Sequence, residues 1–225
     1  MSSRTKKSSK KNKALNLDQY FSTPGVHPFD EIQWDTRTAV ITDENGQVVF
    51  EQNDVEMPCF YSQLATKVIV SKYFYGEQGT DERENSMKQL VHRVSRTIAD
   101  WAIKDKVFKT KKEGEVFYNE LTWILVNQYA AFNSPVWFNV GLFHQNGVEG
   151  SAHNYRWHKK ENKITPCDNT YEYPQGSACF IQSVDDTMDS IMSLAVSEAM
   201  LFKHGSGTGT DLSTIRSSRE KLSGG

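Results

Sequence analysis

The amino-acid sequence predicts an α/β protein with a mainly helical N-terminal region. Three observations carry this: a β-hairpin signal at 38–51, two amphipathic helical patterns within 86–131, and a strand, helix and glycine-rich run over 177–210. A length of 225 residues allows one large domain or two small ones, at roughly 100–200 residues per domain. Hydrophobic residues make up 37% and aromatics 12%, enough to bury a core. Charged residues, at 24%, lie close to the globular average of about 25%. No apolar run reaches the roughly 18 residues that a membrane helix needs, and a net charge of -2 argues against general polyanion binding.

Charge is unevenly spread. Residues 1–13 hold Arg4, Lys6, Lys7, Lys10, Lys11 and Lys13 and no acidic residue. Removing these six leaves 20 basic against 28 acidic residues, a body at -8. The plain expectation is a disordered basic tail over 1–16; the sharper one is a loose contact with a polyanion. No apolar stretch follows the basic run, so it is not a secretory signal. Cys59, Cys167 and Cys179 are odd in number and widely spaced. That argues against a disulfide framework and for a reducing cytoplasm.

Residues 14–35, with Pro24 and Pro28, read as an extended lead-in. Thr38–Thr42 and Gln47–Glu51 then flank Asp43-Glu44-Asn45-Gly46, where Asn-Gly suits a tight turn. Leu64, Val68, Val70 and Tyr73 form a short helical pattern before a polar loop at 76–85. From Ser86, the spacing of Leu90, Val91, Val94, Ile98 and Trp101 predicts a helix ending near Lys106. Glu115–Ala131 repeats the pattern through Phe117, Leu121, Ile124 and Leu125. His92 and the tryptophans here read as structural. Pro135 and Gly141 close the helical zone. Residues 142–176 read as a long polar, irregular segment, which is uncommon and often functional. It holds His144, His153, His158 and Cys167. Their spacing lacks the paired close ligands of a zinc site, so an ordinary polar loop is the expectation.

Ser177–Val184 is small, apolar and β-prone, and reads as a short buried strand with Cys179 near its start. Asp186 reads as the N-cap of a helix striped by Ile191, Leu194, Ala195, Ala199 and Phe202. Lys203 and His204 close its last turn, and Gly205 suits the residue just past it. In Gly205-Ser206-Gly207-Thr208-Gly209-Thr210, glycines alternate with hydroxyl residues. Such a run can be a flexible turn, or it can bring several amides to one anion. It is neither a P-loop nor a dinucleotide fingerprint, because the lysine and the spacing are wrong. Arg216 and Arg219 follow, and guanidinium suits phosphate oxygens.

The stretches SPVWFNVG, SACFIQSVDDTMDSI and FKHGSGTGTDLSTIRSSREKLSGG resemble the catalytic chain of ribonucleotide reductases, and most of all the adenosylcobalamin-dependent class. The resemblance runs through most of the chain after about residue 17 and strengthens towards its end. It implies a mainly helical N-terminal region over 17–133 and the first strands of a ten-stranded α/β barrel over 134–225, with 142–176 as an irregular insertion. In the family a thiyl radical takes the ribose 3′ hydrogen, and two further cysteines reduce the 2′ position. Cys179 matches the first of that reducing pair. Ser134, Ala178, Cys179 and Gly207 match substrate-binding positions. Asp186, Thr187 and Met188, with Lys203 and Arg216, match the recognition site for a deoxynucleotide or ATP effector. The resemblance further implies adenosylcobalamin, a thioredoxin-like reductant and a homodimer when complete.

Cys59 and Cys167 match none of the family's redox positions. The radical cysteine, its companions and the second reducing cysteine are expected beyond Gly225, and the closing Ser223-Gly224-Gly225 reads as an open end. The expectation is therefore a fragment inactive by itself. Two alternatives stand beside it: a split or remnant subunit that binds effector without chemistry, and an unrelated α/β protein whose glycine run binds a phosphate.

Overall fold

The computed structural model describes residues 14–151 and 154–220. The basic run at 1–13, His153 and the closing glycines lie outside the described residues. Three two-stranded sheets and six α-helices make up the described chain. The first sheet is the expected hairpin, extended to β1 (Trp34–Thr42) and β2 (Val48–Pro58), antiparallel with two register shifts. Its turn forms because the Asp43 carboxylate accepts from the amides of Asn45 and Gln47, both at 2.9 Å, while Gly46 takes φ 79°. Ala39, Val55 and Met57 are fully buried on its inner side.

Arg37 of β1 donates to the carbonyls of Cys59 and Tyr61 and to the Thr66 hydroxyl, tying the hairpin to α1 (Gln63–Lys72). In α1 the buried residues are Thr66 and Val70, whereas Leu64 and Val68 are exposed. The apolar pattern located this helix but not its inward face. α2 (Met87–Lys104) opens with a capping box between Ser86 and Gln89, and Leu90, Val91 and Val94 face the core. α3 (Lys111–Val126) starts four residues before the expected Glu115, because Thr110 and Glu113 form a second capping box. It stops five residues before Ala131: Asn127 caps it and Gln128 turns to φ 62°. The two helices pack closely enough that the Ser95 and Thr122 hydroxyls meet at 2.9 Å.

The lead-in is not merely extended. Leu15, inside the expected tail, pairs with Phe108, and Pro28–Glu31 forms a 3-10 turn. Buried Glu120 of α3 accepts from the amides of Tyr20, Phe21 and Ser22 and from the Ser22 hydroxyl, at 2.6–3.0 Å. Burial pushes this carboxyl up, but the hydrogen bonds from Ser22, Phe21 and Tyr20 outweigh it and hold it below its ordinary 4.5. A depressed folded value means the clamp's stability is present above the unfolded value and is lost as pH falls through the folded one. Hydrogen-exchange protection of the Tyr20–Ser22 amides should therefore be lost as pH falls below the ordinary glutamate range, and Glu120→Ala should remove it at neutral pH. Unchanged protection in that variant would refute the clamp.

Pro135 opens a helix rather than ending one. α4 (Ser134–Asn139) carries Pro135 in its first turn, where a missing N–H costs nothing, and Asn133 caps it. α5 (Leu142–Asn146) follows. The segment expected to be irregular then holds an antiparallel hairpin, β3 (Asn154–His158) with β4 (Lys163–Cys167). Tyr155, Trp157 and Ile164 share one exposed face of it. Among the described residues no cluster of three or more His, Cys, Asp or Glu could hold a metal ion. No described helix is long and apolar enough to cross a membrane.

The last unit is β5 (Cys179–Ser183), α6 (Met188–Lys203) and β6 (Gly207–Asp211), with the two strands parallel. Two expectations change here. β5 is not a buried strand: among the described residues β6 pairs one edge only, Cys179 is exposed, and Ile181 is 87% exposed. The glycine run is not a flexible turn either, since 207–211 is the second strand and one edge of its main chain pairs with β5.

Candidate functional site

Cys179 is the first residue of β5, with Gly207 directly opposite on β6. The Gly207 amide donates to the Ala178 carbonyl at 2.6 Å. A Cβ at position 207 would stand 3.9 Å from Cys179 Sγ, and one at 209 would stand 3.5 Å from the Ile181 side chain. Strand alternation places Cys179, Ile181 and Ser183 on one face with Gly207, Gly209 and Asp211 across from them. Gly207 therefore keeps a side chain off the flank of the thiol, and Gly209 does the same for Ile181. Ala178, Cys179 and Gly207, three of the candidate substrate residues, are brought together.

Ser134 reaches this group through a relay. Its hydroxyl bonds the Tyr73 hydroxyl at 3.0 Å at the start of α4. At the other end of that helix, Asn139 Nδ2 donates to the carbonyls of Gln175 and His204, at 3.3 and 3.5 Å. These two carbonyls lead into β5 and β6 respectively. Phe138 stacks on Tyr73, with ring centroids 5.2 Å apart, and sits where a Cβ on Gly205 would approach it to 3.1 Å. No hydrogen bond links Ser134 to Cys179 among the described residues; α4 spaces them. Sequence reasoning missed Asn139, Tyr73 and Phe138. The only signal was that Asn139 and Phe138 sit inside the SPVWFNVG stretch.

At the other end of α6, Arg216 pairs with the Asp186 carboxylate and donates to its carbonyl at 3.4 Å. That pairing explains why Asp186 is not the N-cap. Thr187 caps the helix instead, accepting from the Ser190 amide at 3.3 Å. Met188 is exposed beside it. Four of the candidate effector residues thus cluster, and a phosphate would have to displace Asp186 from Arg216. Lys203 does not join them. It lies at the far end of α6, about 22 Å from Met188 at 1.5 Å per residue, out of reach of the same small group within one chain. Arg219 forms a local turn with Ser217. Of the other cysteines, Cys59 is exposed, while Cys167 is buried and burial pushes its thiol up.

Residues 35–128 match the family model described as class II vitamin B12-dependent ribonucleotide reductase, and residues 177–225 match ribonucleotide reductase, barrel domain. Together they cover more than half of the chain. A vitamin B12-dependent ribonucleotide reductase of Rhodopirellula baltica is 63% identical over 202 residues, 89% of this chain and 19% of that protein. The protein of the same name in Streptomyces coelicolor is 42% identical over 97% of this chain and 20% of its own length. That of Agrobacterium fabrum is 34% identical over 94% and 20%. The chain thus spans about a fifth of the length of the curated relatives it matches.

Proposed function

The chain belongs to the class II vitamin B12-dependent ribonucleotide reductase family, and on that premise we propose that it is the N-terminal portion of an enzyme that reduces ribonucleotides to 2′-deoxyribonucleotides for DNA synthesis and repair. In this reading Cys179 is one of two reducing thiols, and β5 and β6 are the first strands of a ten-stranded barrel preceded by a helical region at 17–133. The observation that carries it is a thiol at a strand start with Gly207 directly across from it, so that no side chain stands against its flank. A nucleoside sugar needs that open flank to come within reach of Sγ.

The net step balances between two thiols and one sugar. The ribose 2′ hydroxyl leaves as water, hydrogen replaces it at carbon 2′, and the two thiols give up two electrons and two protons as a disulfide forms. Cys179 supplies one sulfur. The other comes from the remainder of the reductase, and a thioredoxin-like dithiol restores the pair by exchange. Ala178, Gly207 and Ser134 bind and orient the nucleotide. Asp186, Thr187, Met188 and Arg216 recognise a deoxynucleotide or ATP effector, with Lys203 contributing from a different position; the complete enzyme is a cytoplasmic homodimer.

The relatives' dependence on vitamin B12 extends to this proposal, with adenosylcobalamin as the radical source of the complete enzyme. The residues described do not by themselves fit that group. Three open clefts among them, of about 430, 480 and 530 Å³, lie in the range that encloses drug-sized ligands, each smaller than a corrin with its adenosyl and nucleotide arms needs. The steps derived above are therefore confined to this chain's own side chains.

The test is deoxynucleotide formation with adenosylcobalamin and a dithiol. The full-length reductase should turn over and the 225-residue chain should not; turnover by the short chain would end the proposal as framed. For the effector site, Arg216→Ala in the full-length enzyme should weaken deoxynucleoside triphosphate binding about 10- to 100-fold by calorimetry, the loss expected for one hydrogen-bonded charge. Unaltered affinity would remove Arg216 from that role. The reading as a remnant subunit that binds effector without chemistry predicts instead that the full-length protein binds effector but forms no product.

A further inference from the structure

We propose that Ser206 and Gln175 are positioning residues for the Cys179 thiol; the inference rests on reading that thiol as the reductant. β5 begins at Cys179, so the strand ladder holds nothing ahead of it. A sulfur at a strand end, on an uncovered face, is where a chain frays. Yet the two residues before it are held through three main-chain groups. The Ser177 carbonyl accepts from Ser206 Oγ at 2.7 Å and from Gln175 Nε2 at 3.0 Å. The Ser177 amide donates to Gln175 Oε1, and Gln175 Nε2 also donates to Ser206 Oγ. The Ala178 carbonyl takes the Gly207 amide.

These bonds make a closed polar clamp around the main chain at 177–178. Ser206 is only 5% exposed and stands between Gly205 and Gly207, so its hydroxyl is the only side-chain group this stretch of 205–207 offers to bond with. Asn139 grips the same clamp from α4 through the Gln175 carbonyl. Nothing in the ladder of β5 and β6 requires a buried serine or a glutamine folded back on the main chain two residues ahead of it. What they share is the backbone that sets where Cys179 Sγ points. Hydrogen transfer tolerates little error: a displacement of about 1 Å can cost on the order of 100-fold in rate.

The experiment uses the full-length reductase with adenosylcobalamin and a dithiol. Ser206→Ala and Gln175→Ala should each lower kcat about 10- to 100-fold, with KM for the nucleotide unchanged. Because both side chains hold the Ser177 carbonyl, the double variant should lose less than the product of the single losses. Hydrogen exchange should quicken at the amides of Ser177 to Cys179 but not at Ile181 to Ser183. Wild-type kcat in both variants, or a raised KM with kcat intact, would overturn the positioning role. Cys179→Ser serves as the separate control. If it cycles normally, the thiol reading itself falls; if it is dead while both clamp variants run at full rate, only the clamp falls. Should Ser206→Ala not fold, Gln175→Ala, at a half-buried residue, decides the matter by the same outcomes.

Discussion

Cys179→Ser in the full-length reductase is expected to stop catalytic cycling, with the steady-state rate falling by at least about 10³-fold, equivalent to roughly 4 kcal/mol of barrier. The hydroxyl is close to the thiol in size, and position 179 is exposed at a strand start. The swap is close to isosteric and keeps a hydrogen-bonding group at the strand start, so the variant should unfold near the wild-type temperature and bind effector as before. What it loses is chemical. An alkoxyl oxygen does not close a disulfide with a second cysteine, so the two electrons for the 2′ carbon have no source. Steady deoxynucleotide production by this variant over many turnovers would remove Cys179 from the reaction.

The second large effect concerns stability. Arg93→Met should destabilise the helical region by about 3–5 kcal/mol, the cost of leaving one member of a buried ion pair behind. Arg93 and Glu84 are 2% and 4% exposed and meet at 2.8 Å. Glu84 also accepts from the Tyr75 amide. Arg93 donates further to the carbonyls of Trp137 and Val140, which closes the C-terminal end of α4. Its loss therefore strands a buried carboxylate and frees two carbonyls at the end of the helix that carries Ser134 and Asn139. The unfolding midpoint should drop by on the order of 10 °C. Glu84→Gln in the same background should recover part of this, because it removes the stranded charge while keeping an acceptor for Tyr75. A midpoint within 2–3 °C of wild type for Arg93→Met, less than about 1 kcal/mol, would contradict this account of the buried pair.

Local signals proved sufficient where the determining interactions span a few residues. Asp43 and Gly46 make the first turn, Ser86 with Gln89 opens α2, and Gly205 ends α6 in the left-handed region. The errors have a common cause in longer-range context. Pro135 reads equally well as a stop and as a first-turn residue, and only Asn133 and the docking of Trp137 in the core decide between them. The hairpin at 154–167 was hidden because its alternating aromatics point outward, so the usual link between apolarity and burial is absent. Gly207-Thr208-Gly209-Thr210 resembled a loop in composition, yet pairing with β5 makes it a strand whose first glycine flanks the thiol.

From the sequence alone came the α/β class, the long helices, the hairpin turn, the prominence of Cys179 and the family resemblance, since periodicity, capping and motif are all written within short stretches of chain. The tertiary structure decided that Gly207 faces Cys179, that Asp186 turns from the helix cap to Arg216, that Lys203 lies far from both, and that Glu120 reaches across about a hundred residues to hold Tyr20–Ser22. Each depends on which groups folding brings side by side, and for Glu120 on sharing a desolvated space. There, an unpaired charge or amide costs several kcal/mol, and the partner that satisfies it can come from anywhere along the chain.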